Sequence, residues 1–433
     1  MIGWLALRLY AAAGFVAKPV VEAMLKWRVR RGKEDPARIR ERFGEAGRER
    51  PDGRLVWIHA ASVGETNAVL SLIGYLHGLD LRILLTTGTV TSAAIAQRRL
   101  PEGVIHQYVP LDMARYVEPF LDHWNPQLAI FVESEIWPAI LRSLKKRAVP
   151  FALVNARMSA RSYRNWRRSG PVARAIMGHI AICIAQSASD ARRFENLGVD
   201  HVEIAGNMKF DAPAPGVDEA ALAAIRKQIG ARPVFVAAST HDGEEEAVLG
   251  VHRTLRIDYP DLLTILVPRH PARGDAIAAD IEAAGLVLSR RSGGGAIEHE
   301  TEIFLADSLG EMGLWLRTGT MVFLGASLVR YGGHNPIEPA KIGVPMIHGP
   351  HIANFAEIFA TLSDARAAIM VQDEAGLAAS AAALLADAGE RERLAREARA
   401  CVERQVGALD RTIAALSPYI DADTGAAEKA GHA

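Results

Sequence analysis

The sequence predicts an α/β protein made of two successive parallel-sheet units. Short, continuous apolar runs alternate with longer helix-type stretches. The pattern stops at a Pro-rich segment and then restarts. Continuous rather than alternating apolar runs are expected for parallel strands covered on both faces.

The first set of runs is 55–60, 81–87, 104–109, 127–132, 150–156, 180–185 and 202–206. The intervening stretches are long enough for crossover helices, so these runs make one doubly wound unit. The segment DAPAPGVDEA (211–220) reads as a linker. The second set is 233–239, 262–268, 286–289, 302–307, 320–326, 345–349 and 367–372, and an Ala-rich helical pattern from Glu374 to about Ala415 follows. The expected organisation is an N-terminal anchor with a basic flank (1–33), a first Rossmann-like domain (34–210), a linker (211–220), a second Rossmann-like domain (221–417) and a disordered tail (418–433). Two such units imply a cleft, with ligands at the carboxyl ends of the strands.

The 433 residues carry 50 Lys+Arg and 50 Asp+Glu, and 49% are hydrophobic. This balance excludes a disordered chain and a many-span membrane protein. It also provides no global basic field, so nucleic acid is not an expected partner. Cys183 and Cys401 make no disulfide framework, and a reducing compartment fits them best.

Residues 2–25 are mostly apolar and are followed at once by Lys26, Arg28, Arg30, Arg31 and Lys33. Charge placed after the apolar stretch argues for an uncleaved anchor rather than a signal peptide, with the basic cluster cytoplasmic. Pro19 and the internal charges Arg8, Lys18 and Glu22 leave a spanning and a monotopic insertion both open. No Asp or Glu occurs between Ile136 and Ser189, a stretch that contains ten Lys and Arg residues from Arg142 to Arg174. Such a surface would attract anionic lipid or a phosphorylated substrate.

Polar residues gather just after the runs. Glu65 ends HAASVGE; it could be a general base or simply a charge answering a helix dipole. Glu133 and Glu135 follow the fourth run, where they could serve chemistry or helix capping. Lys209 falls at the end of the first domain and could stabilise negative charge. In the second domain Arg269, His270 and Arg273 would converge on an anion. Gly310, Glu311 and Met312 form a turn into a helix. Gly332, Gly333, His334 and Asn335 precede a helix whose first turn holds Pro336 and Glu338, and His348, His351, Asn354 and Phe355 add a further loop. Glycine-rich loops at helix starts expose backbone N–H groups to phosphate. Together these features indicate a nucleotide or phosphosugar site. The histidines lack zinc-ligand spacing and no Asp-x-Asp falls at a strand end, so a metal is not expected. No Gly-x-Gly-x-x-Gly follows a candidate first strand, which disfavours a dehydrogenase.

The motifs RIRERFG (38–44), WIHAASVGE (57–65), ESEIWP (133–138), NARMSARSY (155–163), AGNMKFD (205–211), VPRHPAR (267–273), GEMGLW (310–315), GGHNPIEPA (332–340) and HGPHIANF (348–355) occur in this order. In combination the chain resembles the 3-deoxy-D-manno-octulosonic acid (Kdo) transferases of lipopolysaccharide inner-core synthesis. The resemblance implies the two-domain GT-B glycosyltransferase fold, CMP-Kdo as donor and the lipid A precursor lipid IVA as acceptor. It also implies work at the cytoplasmic face of the inner membrane and no cofactor or metal. The family's base matches Glu65, and its transition-state stabilisers match Glu135 and Lys209. Its CMP contacts match Pro268, Arg269, Gly310, Glu311, Met312, Asn335, Pro336, Ile337 and Glu338. His270, Arg273, His334 and His351 come from placement alone. The rival readings are another GT-B enzyme, such as a transferase with a different donor or a nucleotide-sugar epimerase, and a membrane-tethered sugar-nucleotide-binding protein.

Overall fold

A computed structural model of the chain describes residues 18–421. These residues form two units, one of residues up to Ala212 together with those from Gln405 onward, the other Pro213–Arg404.

All seven runs of the first set become strands: β1 Leu55–Ala60, β2 Arg82–Thr87, β3 Ile105–Tyr108, β4 Leu128–Val132, β5 Phe151–Ala156, β6 Ile182–Ala185 and β7 Val202–Ile204. They make a wholly parallel sheet in the order β3-β2-β1-β4-β5-β6-β7. Every residue of β1, β4, β5 and β6 is buried, which explains why their sequences do not alternate. One face packs Trp57, Phe120, Trp124, Phe131 and Phe151. The other packs Val69, Leu72, Ile73 and Leu76 of the helix Val63–Gly78.

The second unit repeats this plan with β8 Val234–Thr240, β9 Leu263–Pro268, β10 Leu288–Arg290, β11 Ile303–Leu305, β12 Met321–Leu324, β13 Met346–His348 and β14 Ile369–Met370. Its parallel order is β10-β11-β9-β8-β12-β13-β14. In the first sheet the direction of strand addition reverses between β1 and β4; in the second, β11 inserts between β10 and β9, and the chain then crosses to the other side of β8 at β12. Ligands of open α/β sheets bind at such reversal points.

Three boundaries differ from the sequence expectation. The Ala-rich pattern is three helices, Glu374–Ala386, Ala388–Glu403 and Ala408–Ile420, broken at Asp387 and at Gly407. The last helix belongs to the first unit, although the sequence reading carried the second domain to residue 417. Ala408, Ala415, Leu416 and Ile420 pack beside Val69 and Leu72, and Asp211 accepts hydrogen bonds from the Gly407 and Leu409 amides at 2.6 and 2.9 Å. Helical periodicity identifies an apolar stripe but not the sheet that it covers. The expected linker 211–220 is likewise divided: Asp211 is fixed in the first unit, and the helix Glu219–Ile229 begins before the linker was expected to end. Residues 418–420 are helical, and the rest of the expected tail beyond 421 lies outside the described residues.

Most of the expected anchor (residues 1–17) also lies outside the described residues. From Lys18 the chain is helical to Arg30. Among the described residues no helix is long and apolar enough to cross a membrane.

The RIRERFG motif is structural. It forms a 3₁₀ helix, Pro36–Phe43, ended by Gly44 at φ +81°, where a Cβ would meet the Tyr116 carbonyl oxygen at 2.0 Å. Buried Arg42 donates to the Gly88 and Val109 carbonyls at 2.7 and 3.2 Å and to Glu34, which also accepts from Arg28. This clamp ties the N-terminal helix to the carboxyl ends of β2 and β3. Beside it, Arg38 donates to His106 Nδ1 at 3.2 Å, and Thr87 Oγ1 lies 2.9 Å from Nε2. Burial, then Arg38 and Arg42, lowers the His106 imidazole to about 3. An unfolded chain takes up a proton at this ring near pH 6.5, whereas the folded chain does so only near 3, so stability is lost as pH falls between them. The melting temperature of His106→Gln should therefore fall less than that of the parent chain between pH 7 and pH 5. An equal fall in both would show that His106 is not buried in its neutral form.

Candidate active site

In the first unit four side chains that the sequence pointed to meet at the reversal point. Ser62 caps the helix Val63–Gly78. Glu65 turns back from its first turn, so that Oε2 accepts from the Ala61 amide at 2.8 Å and Oε1 from the Ser62 hydroxyl at 2.7 Å. Ser62 Oγ in turn accepts from the Glu65 amide at 3.3 Å, so the carboxylate also has the helix-end role that the sequence left open. The side chain is 9% exposed, and burial raises its carboxyl above the ordinary 4.5. The Ser62 hydrogen bond pulls it down, and Glu133 and Glu135 push it up again.

Glu133 follows β4 at φ +59°, a strained conformation for a non-glycine residue, and its carboxylate accepts from Lys209 Nζ at 2.6 Å. Lys209 sits in the short helix Met208–Phe210 and lies beside Gly64. Glu135 accepts from Trp137 Nε1 at 2.6 Å and lies 3.6 Å from His59 Nε2. Burial acts to raise Glu135, but the neighbouring His59 and then Trp137 outweigh it and hold the carboxyl below 4.5.

Sequence reasoning did not single out two supports of this site. His59 is wholly buried on β1. Asn155, at φ +49° on β5, accepts from the Met208 amide at 3.0 Å and so positions Lys209. Both lie inside quoted motifs, but an apolar run hides a polar residue that faces inward.

In the second unit the expected donor residues come from three strand ends. Pro268 ends β9 and Arg269 is exposed beside it. Gly310 (φ +88°) and Glu311 precede the helix Met312–Thr318. Glu311 is paired with Arg291 at 2.5 Å and is lowered, first by that hydrogen bond. Asn335 accepts from the Ile337 amide at 3.1 Å and donates to Glu338 at 3.3 Å, next to Pro336 and the helix Ile337–Ile342.

Two expectations are corrected. Arg273 does not offer an unanswered charge to an anion, because Glu245 and Asp242 pair with it, each at 2.8 Å. The Gly333 amide is not open to a phosphate, because it donates to the Ala326 carbonyl at 2.8 Å. Gly332 and Gly333 have a packing role instead: a Cβ on Gly332, at φ +94°, would meet the Asn354 amide at 2.7 Å.

The expected histidines divide. His270 and His334 join His241, which the sequence did not single out. His241 Nε2 lies 3.2 Å from His334 Nε2, and its ring stacks on Tyr331 with centroids 4.3 Å apart. Burial first, then Arg269, lowers His334 to about 3. His348 is buried against Phe359, and the His351 amide donates to Ser327. Ser239 and Ala326, at φ +59° and +60°, bend the ends of β8 and β12 around this group. Glu244 fixes the bend by accepting from the amides of His241, Ala326, Ser327 and Leu328. Among the described residues no His, Cys, Asp or Glu group is arranged to hold a metal ion.

A family model described as 3-deoxy-D-manno-octulosonic-acid transferase (kdotransferase) matches residues 37–212. The 3-deoxy-D-manno-octulosonic acid transferase of Haemophilus influenzae is 35% identical over 395 residues, covering 89% of this chain and 92% of that protein. The chain belongs to the Kdo transferase family. The Bordetella pertussis Kdo transferase is 34% identical, with 88% of this chain and 91% of that protein covered. A putative UDP-N-acetylglucosamine 2-epimerase from Listeria monocytogenes has a similar fold, with a TM-score of 0.57 at 13% identity, over 86% of this chain and 97% of that one. This Kdo transferase family member thus has two Rossmann-like units resembling those of GT-B enzymes, and it is a glycosyltransferase.

Two outcomes test the site. A carboxylate base works only when ionised, so with Glu65 in that role kcat/KM would fall as pH drops through its raised value. The acid limb should therefore lie above 4.5, and a limb at or below 4.5 would contradict the burial described. Gly332→Ala should lower stability by about 1–3 kcal/mol in a denaturant titration, through strain at positive φ and contact with Asn354.

Proposed function

We propose that the protein transfers Kdo from CMP-Kdo to the lipid A precursor lipid IVA. The observation that carries this reading is Glu65, a buried carboxylate of raised proton affinity at a strand reversal in a Kdo transferase family member. Glu65 takes the proton from the acceptor hydroxyl as that oxygen attacks the anomeric carbon of Kdo. The bond from that carbon to the phosphate oxygen breaks, and CMP leaves with the electron pair. The sugar passes through an oxocarbenium-like state, which the Glu135 carboxylate stabilises. Lys209, held against Glu133, supplies positive charge beside the departing anion. Pro268, Arg269, Gly310, Glu311, Met312, Asn335, Pro336, Ile337 and Glu338 contact CMP. Arg269 is the exposed cation among them and Glu311 is already an anion paired to Arg291, so Glu311 suits a ribose or base donor group rather than phosphate.

The protein works at the cytoplasmic face of the inner membrane, anchored through its N-terminal segment. The helix Lys18–Arg30 supports this placement: Val20, Met24 and Trp27 lie on one stripe and are 70%, 44% and 49% exposed, beside Arg28, Arg30 and Arg31. The helix Ala160–Arg168 buries no residue and exposes Arg161, Arg164, Arg167 and Arg168, which suits an anionic headgroup.

The test is to incubate the full chain in detergent with lipid IVA and CMP-Kdo formed in situ and to weigh the lipid by mass spectrometry. Kdo increments should appear and should slow by about 10²–10⁴-fold in Glu65→Gln. No increment from folded protein would sink the donor or acceptor assignment. A donor other than a CMP-sugar would show as stronger thermal stabilisation by UDP than by CMP, where about 2.7 kcal/mol is expected at 100 times the dissociation constant.

A further inference from the structure

His59 carries no role in the reading above, yet its surroundings fix where its protons are. Nδ1 lies 3.1 Å from the Thr86 carbonyl oxygen and 3.0 Å from Thr86 Oγ1. A carbonyl only accepts. The Thr86 hydroxyl, which accepts from Trp57 Nε1 at 2.9 Å, has the Ile58 carbonyl at 3.4 Å as an acceptor for its own hydrogen. Nδ1 therefore bears a hydrogen, and in a neutral ring Nε2 would be a bare lone pair.

That nitrogen is buried and has no hydrogen-bond partner among the described residues. It lies 3.6 Å from Glu135 Oε2, with Phe131 and Trp137 as ring neighbours. A lone pair turned toward a carboxylate is repulsive, so one proton must lie in the pair. Trp137 donates to the same Oε2 at 2.6 Å, a short contact that suits an anionic acceptor. That assigns the proton to Nε2.

We propose that His59 is an imidazolium paired with Glu135, a positioning residue that keeps this carboxylate charged and turned toward the reacting sugar. The proposal rests on the reading of Glu65 and Glu135 given above. It also completes the charge pattern of the cluster. The charged and titratable groups facing one another are Glu65, Glu133, Glu135, Lys209 and His59. Lys209 answers Glu133 and His59 answers Glu135. Glu65 is left with an amide and a hydroxyl as its donors, and it is the carboxylate suited to take up a proton.

The test is nitrogen NMR of the full chain carrying ¹⁵N-labelled histidine. The His59 signals are identified by their loss in His59→Gln or, if that variant does not fold, by ring contacts to Phe131. Both ring nitrogens should be protonated in the parent chain. In Glu135→Gln the ring should be neutral, with Nε2 bare. A neutral His59 in the parent chain, or a charge state unchanged in Glu135→Gln, would overturn the proposal. This readout needs no turnover, so it decides the point even if the donor or acceptor proves different. With turnover, His59→Gln should lower kcat by about tenfold or more while KM for CMP-Kdo stays within about twofold. A rise in KM with kcat unchanged would assign His59 to substrate binding instead.

Discussion

Three carboxylates crowd one strand reversal, and they cannot all be dry and charged without partners. Removing a carboxylate from water costs several kcal/mol unless cations or hydrogen-bond donors answer it. The first unit meets this constraint residue by residue. Lys209 reaches Glu133, Trp137 and His59 face Glu135, and Ser62 with the Ala61 amide holds Glu65. The unequal answers separate the proton affinities: Glu135 is lowered and Glu65 is raised. Such a separation allows neighbouring acids to take different parts in one reaction.

Much of the remaining first unit supports those partners. Lys209 depends on Asn155, which reaches the Met208 amide from a strained position on β5. The chain after Lys209 is fixed by Asp211, which caps the returning C-terminal helix. On the other side Arg42 holds Gly88, whose amide donates to the Ala61 carbonyl at 3.0 Å, and the Ala61 amide donates to Glu65. The N-terminal helix and Glu65 are thus joined through a short series of hydrogen bonds.

The second unit solves a different problem, that of a loop-rich surface at three strand ends. Glu244 spends its carboxylate on four backbone amides, so the bend from β8 to the Ala326 loop is rigid. The aromatic column of Tyr331, His241 and His334 stands on that bend. With His334 held neutral, the positive charge there rests on the arginines, and Arg273 is already answered by acids. Arg269 is exposed beside that paired arginine.

The sequence by itself determined the number of strands, their places and their parallel pairing. Burial on both faces demands continuous apolar runs, and the buried strands β1, β4, β5 and β6 show them, whereas the edge strands β7 and β10 are only partly covered. It also placed Glu65, Glu135 and Lys209 near strand ends, because polar side chains that follow apolar runs lie there. Three features were decided only by the tertiary structure. The helix Ala408–Ile420 returned to the first sheet, His59 was turned inward against Glu135, and the Gly333 amide was taken up by Ala326. Each depends on contact between residues distant in sequence, which local periodicity and spacing do not encode.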